Sequence, residues 1–365
     1  MKTIALDKAL KILLLLFLIF AALYFAKPFL APFTIALLLA MLFHPLTARM
    51  ERKGLARGWA VFLSVLILVA AITGVFFLIY TQVSGMAEDI PKMKQNASQY
   101  LTKVKAFISS TAGISTEKQQ QMLEEQQSGG GSKAASQVAG FLGALSGVLV
   151  DTILVLVYLF LLLFFRTQLQ KAILAMVPAG GQQKAMHIIR QSVKVAGKYL
   201  SGLAIMIGML WVMYGIGFSI VGVKNALFFA VLCGLLEIVP FVGNITGTAA
   251  TMLMALSQGG GGGIVLGVLV VYLVVQFIQT YLIEPLVVGS EVSINPLFTI
   301  IVLVVGELIW GIPGMVVAIP MLGIVKVICD NVDDLKPIGM LIGKEEKKGK
   351  SKGIVTKIKS WFKKK

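Results

Sequence analysis

Residues 141–165 have the sequence FLGALSGVLVDTILVLVYLFLLLFF, in which Asp151 is the only charged side chain. A helix of about 20 apolar residues is long enough to cross the roughly 30 Å hydrocarbon core of a bilayer. The whole chain has the same character, because 57% of its residues are hydrophobic and only 14% are charged. The core of a single soluble domain is too small to bury that much apolar surface, so we predict an integral membrane protein.

Seven further apolar runs indicate a polytopic, all-α protein with about eight transmembrane helices. The runs are 12–26, 29–46, 59–80, 200–223, 225–256, 264–288 and 294–328, and with 141–165 they are numbered one to eight in chain order. The first run follows several lysines, which is also typical of a cleaved signal peptide. We favour a retained span, because the second apolar run follows at once.

The net charge of +16 lies mostly beside the apolar runs and in a Lys-rich tail that begins near Asn331. The loops 47–58 and 166–199 are rich in Lys and Arg, which predicts a cytoplasmic location for both. Eight spans then place both termini in the cytoplasm. This distribution favours contact with anionic lipid headgroups and argues against a nucleic-acid partner.

We divide the chain into five regions by composition. They are a three-span region 1–80, an extracytoplasmic helical segment 81–140 with a Gly/Gln-rich link, span four with an amphipathic cytoplasmic loop 141–199, a four-span core 200–330 and a cytoplasmic tail 331–365. In the loop and in the tail, apolar residues recur every three or four positions between Lys and Arg. That pattern is typical of helices on a membrane surface.

Four carboxylates stand inside the apolar runs: Asp151, Glu237, Glu284 and Glu307. A charged side chain at the centre of a membrane helix costs about 2.5–3.5 kcal/mol on insertion scales. Such acids persist where they pair, take up a proton or face a water-filled cavity. We predict that they couple transport to an ion or a proton. The alternative is that some lie at span ends among headgroups, or cap a broken helix.

Helix-breaking residues cluster beside three of these acids and are predicted to shape the site. They are Pro240, Gly243 and Asn244 in run six, Pro285 and Gly289 at the end of run seven, and Asn295, Pro296, Gly311, Gly314 and Pro320 in run eight. Proline removes a backbone donor, and the freed groups need partners within hydrocarbon. Discontinuous helices form ion and substrate sites in many secondary transporters, although a plain proline kink is the alternative.

Signatures of enzymes, cofactors and metal sites are missing from the sequence. There is no phosphate-binding loop and no His-Glu-x-x-His motif. Cys233 and Cys329 lie in different apolar runs, and His44 and His187 have no ligand-like neighbour. We therefore predict a transporter without cofactor or metal, and not an enzyme.

The second half of the chain resembles the autoinducer-2 exporter family, a group of bacterial eight-span proteins. The family's motifs stand here as Glu237-Ile-Val-Pro-Phe-Val-Gly-Asn244, Glu284-Pro285 followed by Gly289, Asn295-Pro296, Gly311-Ile-Pro-Gly314 and Ile319-Pro320. In this chain Asn244 replaces the family's usual Pro, and Asn295 replaces its frequent His.

The resemblance implies a homo-oligomeric transporter in the bacterial inner membrane. Members of the family are associated with export of autoinducer-2, a quorum-sensing signal, and others look like sodium(lithium)/proton antiporters. We therefore expect a permease that exports a small polar solute, coupled to protons or sodium bound between runs six, seven and eight. The alternatives are a sodium(lithium)/proton antiporter, and a passive channel or membrane scaffold.

Overall fold

The computed structural model describes residues 2–87, 130–239, 242–257, 259, 261–288 and 294–344. Within these ranges the chain is almost entirely helical, and the only β-type pairing is an isolated bridge between Ile294 and Gly343. The predicted all-α membrane fold is thus confirmed. The expectations for most of the extracytoplasmic segment and for the end of the tail fall on 88–129 and 345–365, outside the described residues.

The described helices are numbered in chain order. They are α1 (Lys2–Phe25), α2 (Lys27–Arg52), α3 (Arg57–Ala87), α4 (Gly130–Ala175), α5 (Gln182–Val221), α6 (Ala226–Leu236), α7 (Val242–Ser257), α8 (Gly261–Ile278), a π-helix (Gln279–Val288), α9 (Pro296–Trp310), α10 (Ile312–Asn331), a 3-10 turn (Asp333–Leu335) and α11 (Lys336–Ile342). In the described chain, six are long and apolar enough to cross a membrane: α2, α3, α4, α5, α8 with the π-helix, and α10.

Run six forms a helical hairpin and not the single span expected. Helices α6 and α7 lie antiparallel, since Gly247 on α7 packs against Cys233 on α6, whose Sγ is 3.6 Å from Thr251 Oγ1. Helix α6 has 11 residues, which is about 16 Å of helix, or roughly half of the hydrocarbon core. The predicted break in run six therefore exists, but the chain turns back there.

Run eight is also a hairpin. Gly306 on α9 packs so closely on Gly314 of α10 that a Cβ on Gly306 would lie 2.6 Å from the Gly314 carbonyl oxygen. In a straight helix these residues would be about 12 Å apart. The chain reverses at Gly311, whose φ of 69° is in a region that favours glycine.

The two hairpins open at opposite ends of α5. At the start of α5, Asn331 donates to Gln191 (3.1 Å) and Lys184 pairs with Asp333 (3.1 Å), so the α9–α10 hairpin opens there. Lys336 and Lys184 together lower the pKa of Asp333 to about 2. The α6–α7 hairpin instead begins directly after the last turn of α5.

The amphipathic loop 168–199 does not form separate surface helices. Its first part extends α4 to Ala175, and its second part is the beginning of α5. Helix α5 has 40 residues, about 60 Å of helix, or twice the core thickness. Both spans thus continue well past the bilayer on the side predicted to be cytoplasmic.

At this cytoplasmic end Glu51 of α2 forms ion pairs with Arg57 and Arg166, which joins α2 to α3 and α4.

We predict that Gly314→Ala will destabilise the protein by more than about 2 kcal/mol, because the new Cβ would collide with the backbone of Gly306 and overpacking a rigid contact typically costs 1–3 kcal/mol. The measurement is thermal unfolding of the purified protein in detergent. Gly208→Ala is the matched control, since a Cβ there meets nothing within 4 Å. Equal melting temperatures for the two variants would contradict the hairpin contact.

Candidate functional site

Of the four predicted acids, Glu237 is the one that the structure buries, with a relative exposure of 8%. It follows the last residue of α6, at the tip of the α6–α7 hairpin. Asp151, Glu284 and Glu307 are exposed on the surface of the described chain. The four acids predicted to couple transport to an ion or a proton thus differ in burial, and Glu237 is the buried one in the described chain.

The Glu237 side chain does not cap its helix. Its Oε1 accepts a hydrogen bond of 2.7 Å from Nε2 of Gln279, the first residue of the π-helix, and Gln279 is only 4% exposed. Backbone bonds from Ile238 N to Leu235 O and from Val239 N to Leu236 O continue the chain's winding past the end of α6. The carboxylate thus links run six to run seven.

Asn244 is the second centre of the buried polar network. Its Oδ1 accepts a hydrogen bond from the Tyr214 hydroxyl (3.2 Å), and its Nδ2 donates to Oε1 of Gln276 on α8. Asn244 also interacts with the carboxylate of Glu237. Burying an amide is costly unless it is hydrogen-bonded, and α5, α8 and the end of α6 provide the partners of Asn244. We call Glu237, Gln279, Asn244, Tyr214 and Gln276 the polar cluster.

Three buried polar atoms near this hairpin have no hydrogen-bond partner among the described residues. They are Oε1 of Gln279, Oγ1 of Thr248 and Nε1 of Trp211. Thr248 lies one helical turn beyond Asn244, and the Trp211 ring lies against α6 at Gly234. Buried polar atoms are nearly always satisfied. The two oxygens can each accept a further hydrogen bond, and the Trp211 N–H can donate one.

Glu284 lies along the π-helix from the polar cluster. Glu284 is five residues beyond Gln279, about one turn of the π-helix, but Gln279 is buried whereas Glu284 is exposed. Its carboxylate interacts electrostatically with Glu237, Tyr199 and Lys344. Tyr199 and Tyr214 are separated by about 22 Å along α5. Polar side chains thus extend from the hairpin tip toward the side that is predicted to be cytoplasmic.

The helix-breaking residues have different structural roles. Gly243 packs on the backbone of Leu236, and Pro285 lies inside the π-helix. Asn295 caps α9 by accepting a hydrogen bond from Leu297 N (3.0 Å), and Pro296 is the first residue of α9. Gly311 and Gly314 form the second reversal, and Pro320 is buried in α10. Pro240 and Gly289 lie outside the described residues.

The structure brings together runs five, six and seven, whereas the helices of run eight, α9 and α10, pack on α1, α2 and α5.

The sequence analysis did not single out Tyr214, Gln276 or Gln279. The available signal was two glutamines on one apolar run, since uncharged polar residues are also costly in hydrocarbon. In the described part of the chain, no group of three or more His, Cys, Asp or Glu residues could hold a metal ion.

Comparison with known proteins identifies relatives that are described as transport proteins or permeases. A family model described as AI-2E family transporter matches residues 13–334. "Putative permease PerM" of Escherichia coli (strain K12) is 26% identical over 329 residues, which cover 88% of this chain and 92% of PerM. "Putative transport protein YhhT" of the same strain is 23% identical over 317 residues, covering 86% and 88%.

A shorter match links the chain to "Putative transport protein YrrI" of Bacillus subtilis (strain 168). The two are 24% identical over 191 residues, which cover 51% of this chain and 54% of YrrI. In this match the chain spans about half the length of its relative.

We predict that Gln279→Leu will destabilise the protein by about 1–3 kcal/mol, because it removes the Gln279 donor from the buried Glu237 carboxylate. Thermal unfolding in detergent measures the effect. The double variant Glu237→Leu/Gln279→Leu is the control, since replacing both partners by apolar groups is often nearly neutral. A double variant that is less stable than Gln279→Leu would contradict a simple pairing of the two side chains.

Proposed function

Because the chain belongs to the AI-2E family of transporters, we propose that it is a secondary transporter that exports a small polar solute, such as a quorum-sensing signal, in exchange for protons or sodium. The observation that carries this proposal is Glu237. It is a carboxylate buried at the tip of a hairpin whose first helix is too short to cross a bilayer, and its partner is a neutral amide.

The amide of Gln279 can serve both protonation states of Glu237. Its Nε2 donates to the ionised carboxylate. Its Oε1, which is buried and accepts no bond from the described residues, can accept one from the protonated acid. A buried carboxylate with a partner for each state keeps a hydrogen bond whether it gains or loses a proton. This is what a group that couples proton movement to transport requires.

The polar side chains beyond the hairpin provide a route for the ion. Glu284 and Tyr199 extend the polar cluster toward Lys344, near the end of the described chain. The two hairpins open at opposite ends of α5, and opposed discontinuous helices of this kind support alternating access in other secondary transporters. We assign proton or sodium exchange with the cytoplasm to the Glu284 side of the cluster.

A sodium(lithium)/proton antiporter is the second candidate. Hard cations prefer oxygen ligands, and the hairpin offers the Glu237 carboxylate together with the partnerless oxygens of Gln279 and Thr248. In that case the cation and the proton compete for one carboxylate. A passive channel or a membrane scaffold would not need a carboxylate with partners for both protonation states.

The proposal extends to assembly and location. The family resemblance favours a homo-oligomer in the bacterial inner membrane. The Lys and Arg beside the long ends of α4 and α5 favour the cytoplasm for both termini.

We predict that Glu237→Gln will reduce gradient-driven transport in proteoliposomes to the level of protein-free vesicles, because glutamine cannot bind a proton. The assay is counterflow of small polar metabolites, sodium or lithium under an imposed pH or sodium gradient. Glu307→Gln is the matched control, since Glu307 is exposed on α9. Glu284→Gln should slow transport and leave its coupling intact.

Two outcomes would overturn the proposal. Coupled flux in Glu237→Gln equal to that of the unmodified protein would remove the carboxylate from the mechanism. Flux of the unmodified protein that rises in proportion to the solute gradient, without saturation or coupling, would identify a channel instead.

A further inference from the structure

A cavity of about 540 Å³ lies between α2, α4 and α5, away from the polar cluster. Its lining shares no residue with that cluster and includes His44 on α2, Arg166 on α4 and Lys198 on α5. The Lys and Arg distribution predicts that this end of the three helices is cytoplasmic. The proposed transport mechanism makes no use of the cavity.

Basic side chains dominate its polar lining. Arg190, Lys194 and Lys198 follow one another at intervals of four residues, so they form a stripe on one face of α5. Arg166 faces them from α4. No Asp or Glu is among the residues that line the cavity. A cavity with several cationic donors and no lining carboxylate is suited to an anion, and the guanidinium and ammonium groups match phosphate oxygens best.

Two contacts made by lining residues hold this arrangement in place. Glu51 pairs with Arg166, whose side chain is only 19% exposed. Gly197 lets α5 approach α2 so closely that a Cβ there would lie 3.1 Å from the Met41 carbonyl oxygen. The guanidinium of Arg166 is therefore positioned before any ligand arrives, which lowers the entropic cost of binding.

The remaining lining is apolar. Met41 and Leu42 on α2 and Ile189 and Val193 on α5 contribute to the wall. An inorganic ion alone would leave this wall uncovered, whereas a phosphate ester with an apolar part would contact both sets of side chains. Basic pockets between transmembrane helices at the cytoplasmic face bind anionic lipid headgroups in other membrane proteins.

We propose that this cavity binds a phosphate-bearing amphiphile. Its phosphate lies against Arg166, Arg190 and Lys194, and its apolar part lies against α2 and α5. The ligand chemistry is a phosphate ester, which either an anionic phospholipid or a soluble organic phosphate could supply.

The test compares two double variants of the full chain. Arg190→Gln/Lys194→Gln removes two charges from the cavity, and Lys53→Gln/Lys171→Gln removes two exposed charges on the same side but outside its lining. Phosphatidylglycerol bound to each purified protein is titrated by native mass spectrometry, with phosphatidylcholine as the neutral lipid. Circular dichroism and size-exclusion chromatography verify that both variants are folded.

We expect phosphatidylglycerol to bind the unmodified protein and the outside variant equally, and the cavity variant about thirtyfold more weakly, since each basic residue near a membrane surface contributes about 1 kcal/mol. A second arm adds sn-glycerol 3-phosphate as the soluble competitor. Displacement of the lipid assigns the cavity to soluble phosphate esters, and failure to displace it assigns the cavity to the phospholipid. Equal binding by both variants, or no preference over phosphatidylcholine, would overturn the proposal.

Discussion

Every backbone N–H and C=O that leaves a helix inside a bilayer needs a partner within the protein, and this constraint shapes both hairpins. At the first tip, Gly243 N donates to Val239 O at 3.0 Å. At the second, Gly311 N donates to Glu307 O at 2.7 Å, and Met315 N donates to Gly311 O at 3.1 Å. Because the turns satisfy much of their own backbone, the side chains at the first tip remain available for the polar cluster.

The close backbone contacts and the buried polar groups depend on each other. Gly247 brings α7 against α6 at Cys233, and this contact holds Asn244 near Tyr214 and Gln276. An apolar cluster of α5, α6 and α8, which includes Leu210, Phe218, Phe229 and Val268, surrounds the network. Each of these hydrogen bonds therefore depends on the packing that places its two partners. The family's frequent Pro at position 244 would not provide the amide that joins three helices here.

The sequence predicted the class of fold well, because hydropathy and length suffice to recognise membrane helices. It also located the breaks, since Pro and Gly are visible in any apolar run. It did not predict that the chain reverses at these breaks, because a kinked span and a hairpin have the same composition. The close contact between Gly306 and Gly314 across the turn shows that the chain reverses there. A short stretch of sequence does not reveal which residues will make such a contact.

The candidate site was predicted only in part for a similar reason. Glu237 was recognisable as an acid in an apolar run, but so were three acids that the structure leaves exposed. Burial depends on which helices pack around a position, and the sequence alone does not contain that information. Tyr214 was missed because a tyrosine in a membrane helix has no distinctive pattern until its hydroxyl partner is known.

The π-helix after α8 has a further geometric consequence. If this segment were wound as an α-helix, Gln279 and Glu284 would point about 140° apart around the axis, and the wider π-helical turn reduces that angle. Pro285, within the same stretch, has no N–H for either pattern of backbone bonds. The angle between these two polar side chains thus depends on the local winding of a single segment, and a small torsional change there would alter it without shifting the helix as a whole.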